Sequence, residues 1–215
     1  MKLLTFVRKP LPYEYRNFLI GIIGINVIVQ VLQYAMPSLI IYLGMNPLEI
    51  LRGRIWQFFT YMFVHDRGNL GHLLFNMLAL FFFGRQIERE LGSWEFLLFY
   101  LSTGVISGLI SFFIYLFSGQ ILSLLVGASG AVFGVVLLFA TMHPETRIYV
   151  FFMIPMSAGL FIVFHVGYEL FMELTNRGSR VSHITHLAGF AWAYAFIYIR
   201  YRIDPLKRMF PRIFS

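Results

Sequence analysis

Between residues 94 and 117 the chain runs WEFLLFYLSTGVISGLISFFIYLF, with Glu95 as its single charged side chain. About 20 consecutive apolar residues match the ~30 Å hydrocarbon core of a bilayer. Inside lipid each backbone N–H and C=O must be satisfied within the protein, so this run is expected to cross as a helix. Further apolar runs follow the same pattern, and across its 215 residues the chain is 59% hydrophobic and only 13% charged. Soluble domains carry roughly a quarter charged residues, so the expectation is an all-α polytopic membrane protein.

Six spans are expected, at about 18–38, 70–86, 94–117, 128–142, 148–172 and 182–201. An even number puts both termini on one side. Lys2, Arg8, Lys9, Arg16, Arg85, Arg89, Arg147, Arg200, Arg202, Lys207, Arg208 and Arg212 then fall on the side of the termini, against Arg52, Arg54, Arg67, Arg177 and Arg180 opposite. Excess Lys and Arg marks the cytoplasmic face, so both termini are expected there, in a plasma membrane of bacterial type. The net charge of +7 is read the same way, and no nucleic-acid partner is expected. The opening MKLLTFVRKP has too short an apolar run for a signal peptide and is expected to stay attached. The organisation expected is a basic segment over 1–17, one membrane domain over 18–203 and a basic tail over 204–215. Absent cysteine excludes thiol nucleophiles, thiolate metal sites and disulfides.

Two segments break the pattern. The connection from about 39 to 69 is long and largely apolar, so short helices lying in the outer leaflet are expected, with Trp56 and Tyr61 as interfacial anchors. The fourth span, starting at Ser129 and stopped by His143-Pro144, is about 18 to 20 Å of helix and too short to cross. The segment before it, SGQILSLLVGA, must then dip into the bilayer, where irregular backbone survives only under protein cover or beside water.

Polar groups gather at one depth. The second, fourth and sixth spans run the same way, and near their starts stand His72 and Asn76, Ser129, and His186. A serine hydroxyl becomes a nucleophile when an imidazole accepts its proton, which pairs Ser129 with His186. Asp204 lies about 27 Å beyond His186 along nearly continuous helix, and Glu88 about 24 Å past His72. Glu169 and Glu173 remain candidates for a third member, but a dyad is the expected arrangement, with the imidazole oriented by packing and hydrogen bonds. His72 and Asn76 share a helix face and can donate, with the Ser129 N–H, to an oxygen gaining negative charge. Gly130 and Gly134 on the fourth span, and Gly189 and Ala193 on the sixth, form small-xxx-small faces that allow close helix approach. His183 and His186 at i, i+3 are disfavoured as metal ligands because no HExxH and no cysteine joins them, so no metal and no cofactor is expected.

HLLFN at 72–76, GRQIERELG at 84–92, GASG at 127–130 and HLAG at 186–189, in this order and each on its helix, resemble the rhomboid intramembrane serine proteases. The resemblance covers nearly the whole six-span core. It implies a six-helix bundle with a membrane-embedded first external loop, and a fifth span that gates substrate entry. It also implies Ser129 as nucleophile, His186 as general base, and His72 and Asn76 in the oxyanion site with Gly127 beside the serine. Three positions depart from the family pattern: Gln57 after Trp56, Phe133 in place of a tyrosine, and Ala193 in place of a glycine. Phe133 can still pack on His186, whereas Ala193 is expected to loosen helix approach slightly.

The function expected is an endopeptidase that cuts transmembrane proteins in or beside their spans, within the lipid bilayer, oligomeric state unassigned. Two rivals stand beside it. One is a proteolytically dead scaffold, disfavoured because serine and histidine are both present. The other is a transporter, disfavoured because the ionisable groups cluster at one side instead of tracing a route across.

Overall fold

The computed structural model describes residues 8–150, 153–175 and 182–214. Residues 1–7 of the basic N-terminal segment lie outside the described residues, as do Arg177 and Arg180 of the charge argument.

Helix α1, Phe18–Ala35, opens after Asn17, whose left-handed backbone (φ 56°) offers no side-chain cap. Its first N–H groups go instead to a distant carboxylate: Phe18 and Leu19 donate to Glu88 Oε1 and Oε2 at 2.6 and 3.2 Å. A carboxylate is well suited to the positive end of a helix dipole. This explains the glutamate in the GRQIERELG stretch. Gly92 (φ +85°) turns the chain beside Glu14 at the same place.

Between α1 and the next long helix lie three short helices, α2 (Leu39–Leu43), α3 (Pro47–Leu51) and α4 (Gln57–Thr60), and a 3-10 turn, Tyr61–Phe63. Gln57, fully buried, ties this loop together, accepting from Asn46 N at 3.0 Å and donating to the carbonyls of Ile41 and Tyr42. Trp56 stays partly exposed, its indole N–H on the Tyr42 carbonyl. Tyr61 corrects the sequence reading. It is 1% exposed and donates its hydroxyl to the Gly104 carbonyl at 2.7 Å, so it is a core bolt and no interfacial anchor.

Helix α5, Leu70–Leu91, contains a wider π turn at Leu80–Gly84. Helix α6, Ser93–Phe117, presents two faces of small residues. Gly104 and Gly108 receive Met62 and Tyr61, while Thr103, Ser107 and Ser111 bond back to carbonyls one turn earlier and face α7 and α9. Helix α7, Ser129–Met142, is buried almost all round, at the centre of the molecule.

The fifth span is a second correction. Residues 147–150 and 154–157 pair as two antiparallel strands, β1 (Arg147–Val150) and β2 (Ile154–Ser157), and the helix, α8, covers Ala158–Thr175. Pro155 biases Ile154 away from helical backbone, and a short apolar run does not distinguish helix from strand by periodicity. Helix α9, His183–Tyr201, packs along α7, and α10, Pro205–Met209, follows Asp204. Asp204 caps α10 through the N–H groups of Leu206 and Lys207; the hydrogen bond from Tyr194 holds its carboxyl below the usual carboxylate range. Residues 205–209, expected in a tail, are thus helical, and Met209 packs into the core against Gly159.

The described chain is mostly helical, and α1, α5, α6 and α8 are long and apolar enough to cross a membrane. The 14-residue α7 is a shorter apolar helix.

Candidate active site

Chain geometry around Ser129 begins with the segment before it. Leu125 and Met45 exchange both backbone hydrogen bonds, at 2.8 and 2.9 Å, and Gly127 N donates to the Tyr61 carbonyl at 3.0 Å. The short helices of the first loop thus satisfy the irregular backbone that leads to α7. Gly127 has φ +119°, and a Cβ there would stand 2.8 Å from His72 Cε1 and Nε2 and 3.7 Å from Ser129 Oγ. Glycine therefore serves twice here, for the turn and for the close approach of the His72 ring to the backbone that leads to the serine. Ser129 is the first residue of α7, so its own N–H and the next have no partner within the helix.

His186 Nε2 lies 2.7 Å from Ser129 Oγ, with the histidine buried and the serine partly accessible. The α7–α9 seam makes this possible. A Cβ at Gly189 would run into the Gly130 carbonyl oxygen and come within 2.9 Å of its carbon, so the two backbones touch. One turn further on, a Cβ at Gly134 would meet Ala193 Cβ at 3.3 Å and Thr103 Cγ2 at 2.6 Å. The Ala193 methyl fills the space that glycine leaves at 134, which answers the expectation of looser approach. Phe133 stands edge-on to the His186 ring, centroids 4.4 Å apart, and fixes it from one side.

The proposed oxyanion donors are placed less uniformly. His72 packs its ring against Gly127, two residues before the serine. Asn76 is buried, with its amide N–H donating to the His72 carbonyl one turn back at 2.8 Å. Behind His72 stands His65, fully buried, with no hydrogen-bond partner on either ring nitrogen and centroids 5.0 Å apart. Gln33 pins the His65 backbone from both sides. Burial, seconded by the His72 imidazole, pushes His65 down to about 3, so the ring is neutral.

Glu169 was set aside in the sequence in favour of a dyad. It comes in from α8, 2% exposed, with Oε2 at 2.6 Å from His183 Nδ1 and 3.0 Å from His186 Nδ1. The first contact is a hydrogen bond; the second has ion-pair distance without hydrogen-bond alignment. His165 Nε2 lies 3.4 Å from the other oxygen. Two signals pointed to it: His165 and Glu169 share a helix face at i, i+4, and the end of α8 lies at the same level as the start of α9. Glu169, His183 and His186 each offer a ligand atom within 4.8 Å of the others, the one such group among the described residues able to hold a metal ion. The hydroxyls of α6 were also missed: Ser111 bonds Thr185 at 2.7 Å and Tyr115 bonds Ser182 at 2.6 Å, holding the start of α9. Ser/Thr spaced at i, i+4 in an apolar helix was the available signal.

A mostly helical protein with apolar spans, a glycine-packed pair of helices and a serine–imidazole contact between them defines a class that sequence comparison resolves further. The profile of the Rhomboid domain matches residues 52–203. The chain belongs to the rhomboid family. RHOMBOID-like protein 12, mitochondrial, of Arabidopsis thaliana is 33% identical over 155 residues, which cover 66% of this chain and 45% of that protein. Rhomboid protease GluP of Bacillus subtilis is 38% identical over 85 residues, 40% of this chain and 15% of the relative. Rhomboid protease GlpG of Salmonella paratyphi A is 28% identical over 140 residues, 65% and 46%. The chain spans less than half the length of each.

Proposed function

We propose that this chain is an intramembrane serine endopeptidase that cleaves peptide bonds in or beside the spans of other membrane proteins. The observation that carries this reading is the 2.7 Å contact between His186 Nε2 and Ser129 Oγ, made across two helices in an otherwise apolar bundle. Membership of a family with relatives named proteases supports it.

In this reading Ser129 Oγ attacks the scissile carbonyl carbon while its proton passes to His186 Nε2. The carbonyl oxygen, now an anion, is held by the Ser129 N–H, by His72 and, after release from its own helix, by Asn76. Collapse breaks the C–N bond; His186 returns the proton to the leaving amine, and a serine ester remains. Water then adds to the ester carbonyl with His186 taking its proton, and the second collapse frees the carboxylic acid and restores the hydroxyl. No group outside the chain is required. The bundle has six membrane segments, with α9, and with α7 together with the irregular segment that dips in before it, added to α1, α5, α6 and α8, and both termini on the Lys- and Arg-rich side. The organisation is a basic segment over 1–17, the membrane domain over 18–203 and a basic segment over 204–215. Substrates are transmembrane proteins whose scissile segment is extended, since a helix hides its carbonyls.

The test is cleavage of a single-span membrane protein, with small residues and a helix breaker at one end of its span, in proteoliposomes. Wild type should release the product, and Ser129→Ala should lower the rate at least about 10⁴-fold. Equal cleavage by the alanine variant, or binding of the substrate without any cleavage by wild type, contradicts the reading.

A further inference from the structure

We propose that Glu169 is a positioning residue for His186, making the site a serine–histidine–glutamate relay drawn from three helices, α7, α9 and α8. This rests on the proteolytic reading above and deepens it.

Helix α8 buries few residues: Ala158, Gly159 and Ile162 are apolar or small, and Glu169 is the one charged side chain among them. A carboxylate in such surroundings is retained only with partners. Among the described residues its partners are imidazoles alone: His183 Nδ1 at 2.6 Å, His186 Nδ1 at 3.0 Å and His165 Nε2 at 3.4 Å. Neutral imidazole carries one N–H and one lone pair. A carboxylate accepts only, so facing Nδ1 it selects the tautomer with the proton there. Nε2 of His186 is then left with its lone pair toward the Ser129 hydroxyl, which is the state a base requires.

The same contact acts again after proton transfer. When Nε2 takes the serine proton the ring becomes a cation, and the carboxylate beside Nδ1 stabilises it without accepting the proton. His183 hydrogen-bonds one carboxylate oxygen and His165 stands near the other, so Glu169 is oriented before the cation forms. A slight rotation of the His186 ring brings its N–H into line with Oε2, the change that the new positive charge favours. Phe133 packs on both His165 and His186, centroids 4.5 and 4.4 Å away.

The experiment measures kcat and KM for the reconstituted chain on the single-span substrate, beside thermal unfolding, for wild type, Ser129→Ala, Glu169→Gln and Glu169→Asp. Glutamine keeps the shape and removes the charge. The expected result is a fall in kcat of about 100-fold or more, with KM within about threefold and an unchanged unfolding midpoint. Aspartate, which keeps the charge, should recover at least about tenfold of the lost kcat. A glutamine variant within about threefold of wild-type kcat overturns the proposal, as does a loss that aspartate does not recover or that follows the unfolding midpoint in both variants. Activity that survives in Ser129→Ala would instead overturn the proteolytic reading itself, whatever Glu169 does.

Discussion

Two buried carboxylates, Glu95 at one end of the bundle and Glu169 at the other, have opposite company. Glu95 meets the guanidinium of Arg200 through both oxygens, with Nη2 at 2.6 Å, and also accepts from Tyr201 Oη at 2.9 Å and Leu11 N at 3.2 Å. Arginine keeps its charge at every accessible pH, so this end is a permanent clamp joining the start of α6 to the end of α9. Among the described residues Glu169 meets only imidazoles, whose charge changes with each proton gained or lost. The same side chain therefore builds in one place and, in the other, stands beside groups that can titrate. What differs is whether the partner can titrate.

That contrast is open to attack at both ends. The largest effect is expected from His186→Ala: cleavage should fall at least about 10⁴-fold with little change in thermal stability, as is usual when one member of such a unit is lost. Next comes Glu95→Gln, which removes the charge opposite a buried guanidinium and should cost about 3 kcal/mol of stability, read as a lowered unfolding midpoint. The fraction that stays folded should keep its kcat; a specific loss of kcat would show that the clamp end also serves the chemistry. Gly189→Ala, placed between the two, should cost about 2 kcal/mol through overpacking against the Gly130 backbone, and should lower kcat as well because Ser129 is displaced from His186. The smallest effect is expected from Ala193→Gly. Loss of one methyl opposite Gly134 and added helix flexibility should amount to about 1 kcal/mol, with cleavage nearly unchanged. Unfolding in detergent and initial cleavage rates measure both quantities for each variant.

How far these features could be read from the sequence depends on what kind of signal carried them. Ser129, His186 and His72 were legible because a reactive group among glycines in an apolar run has few roles, and because three spans set such groups at one depth. The start and stop of α7 were legible too, since His143-Pro144 ends it plainly. The strand pair of 147–150 and 154–157 was not, because its residues are as apolar as a span and only Pro155 argued against helix. Tyr61 was misread because aromatic residues near an interface and aromatic residues in a core look alike in sequence; the glycines at 104 and 108 that admit its neighbourhood lie some forty positions away. Glu169 was harder to read: its partners come from two helices, and it lies in the second half of α8 instead of near the start of a span.

The most direct measurement is to treat the reconstituted protein with a fluorophosphonate and locate the adduct by peptide mass mapping, in wild type, Ser129→Ala and His186→Ala. The account predicts phosphonylation at Ser129 in wild type, none in the serine variant, and labelling slowed at least about 100-fold in the histidine variant. An adduct on another residue, or one formed at Ser129 equally fast without His186, would contradict it.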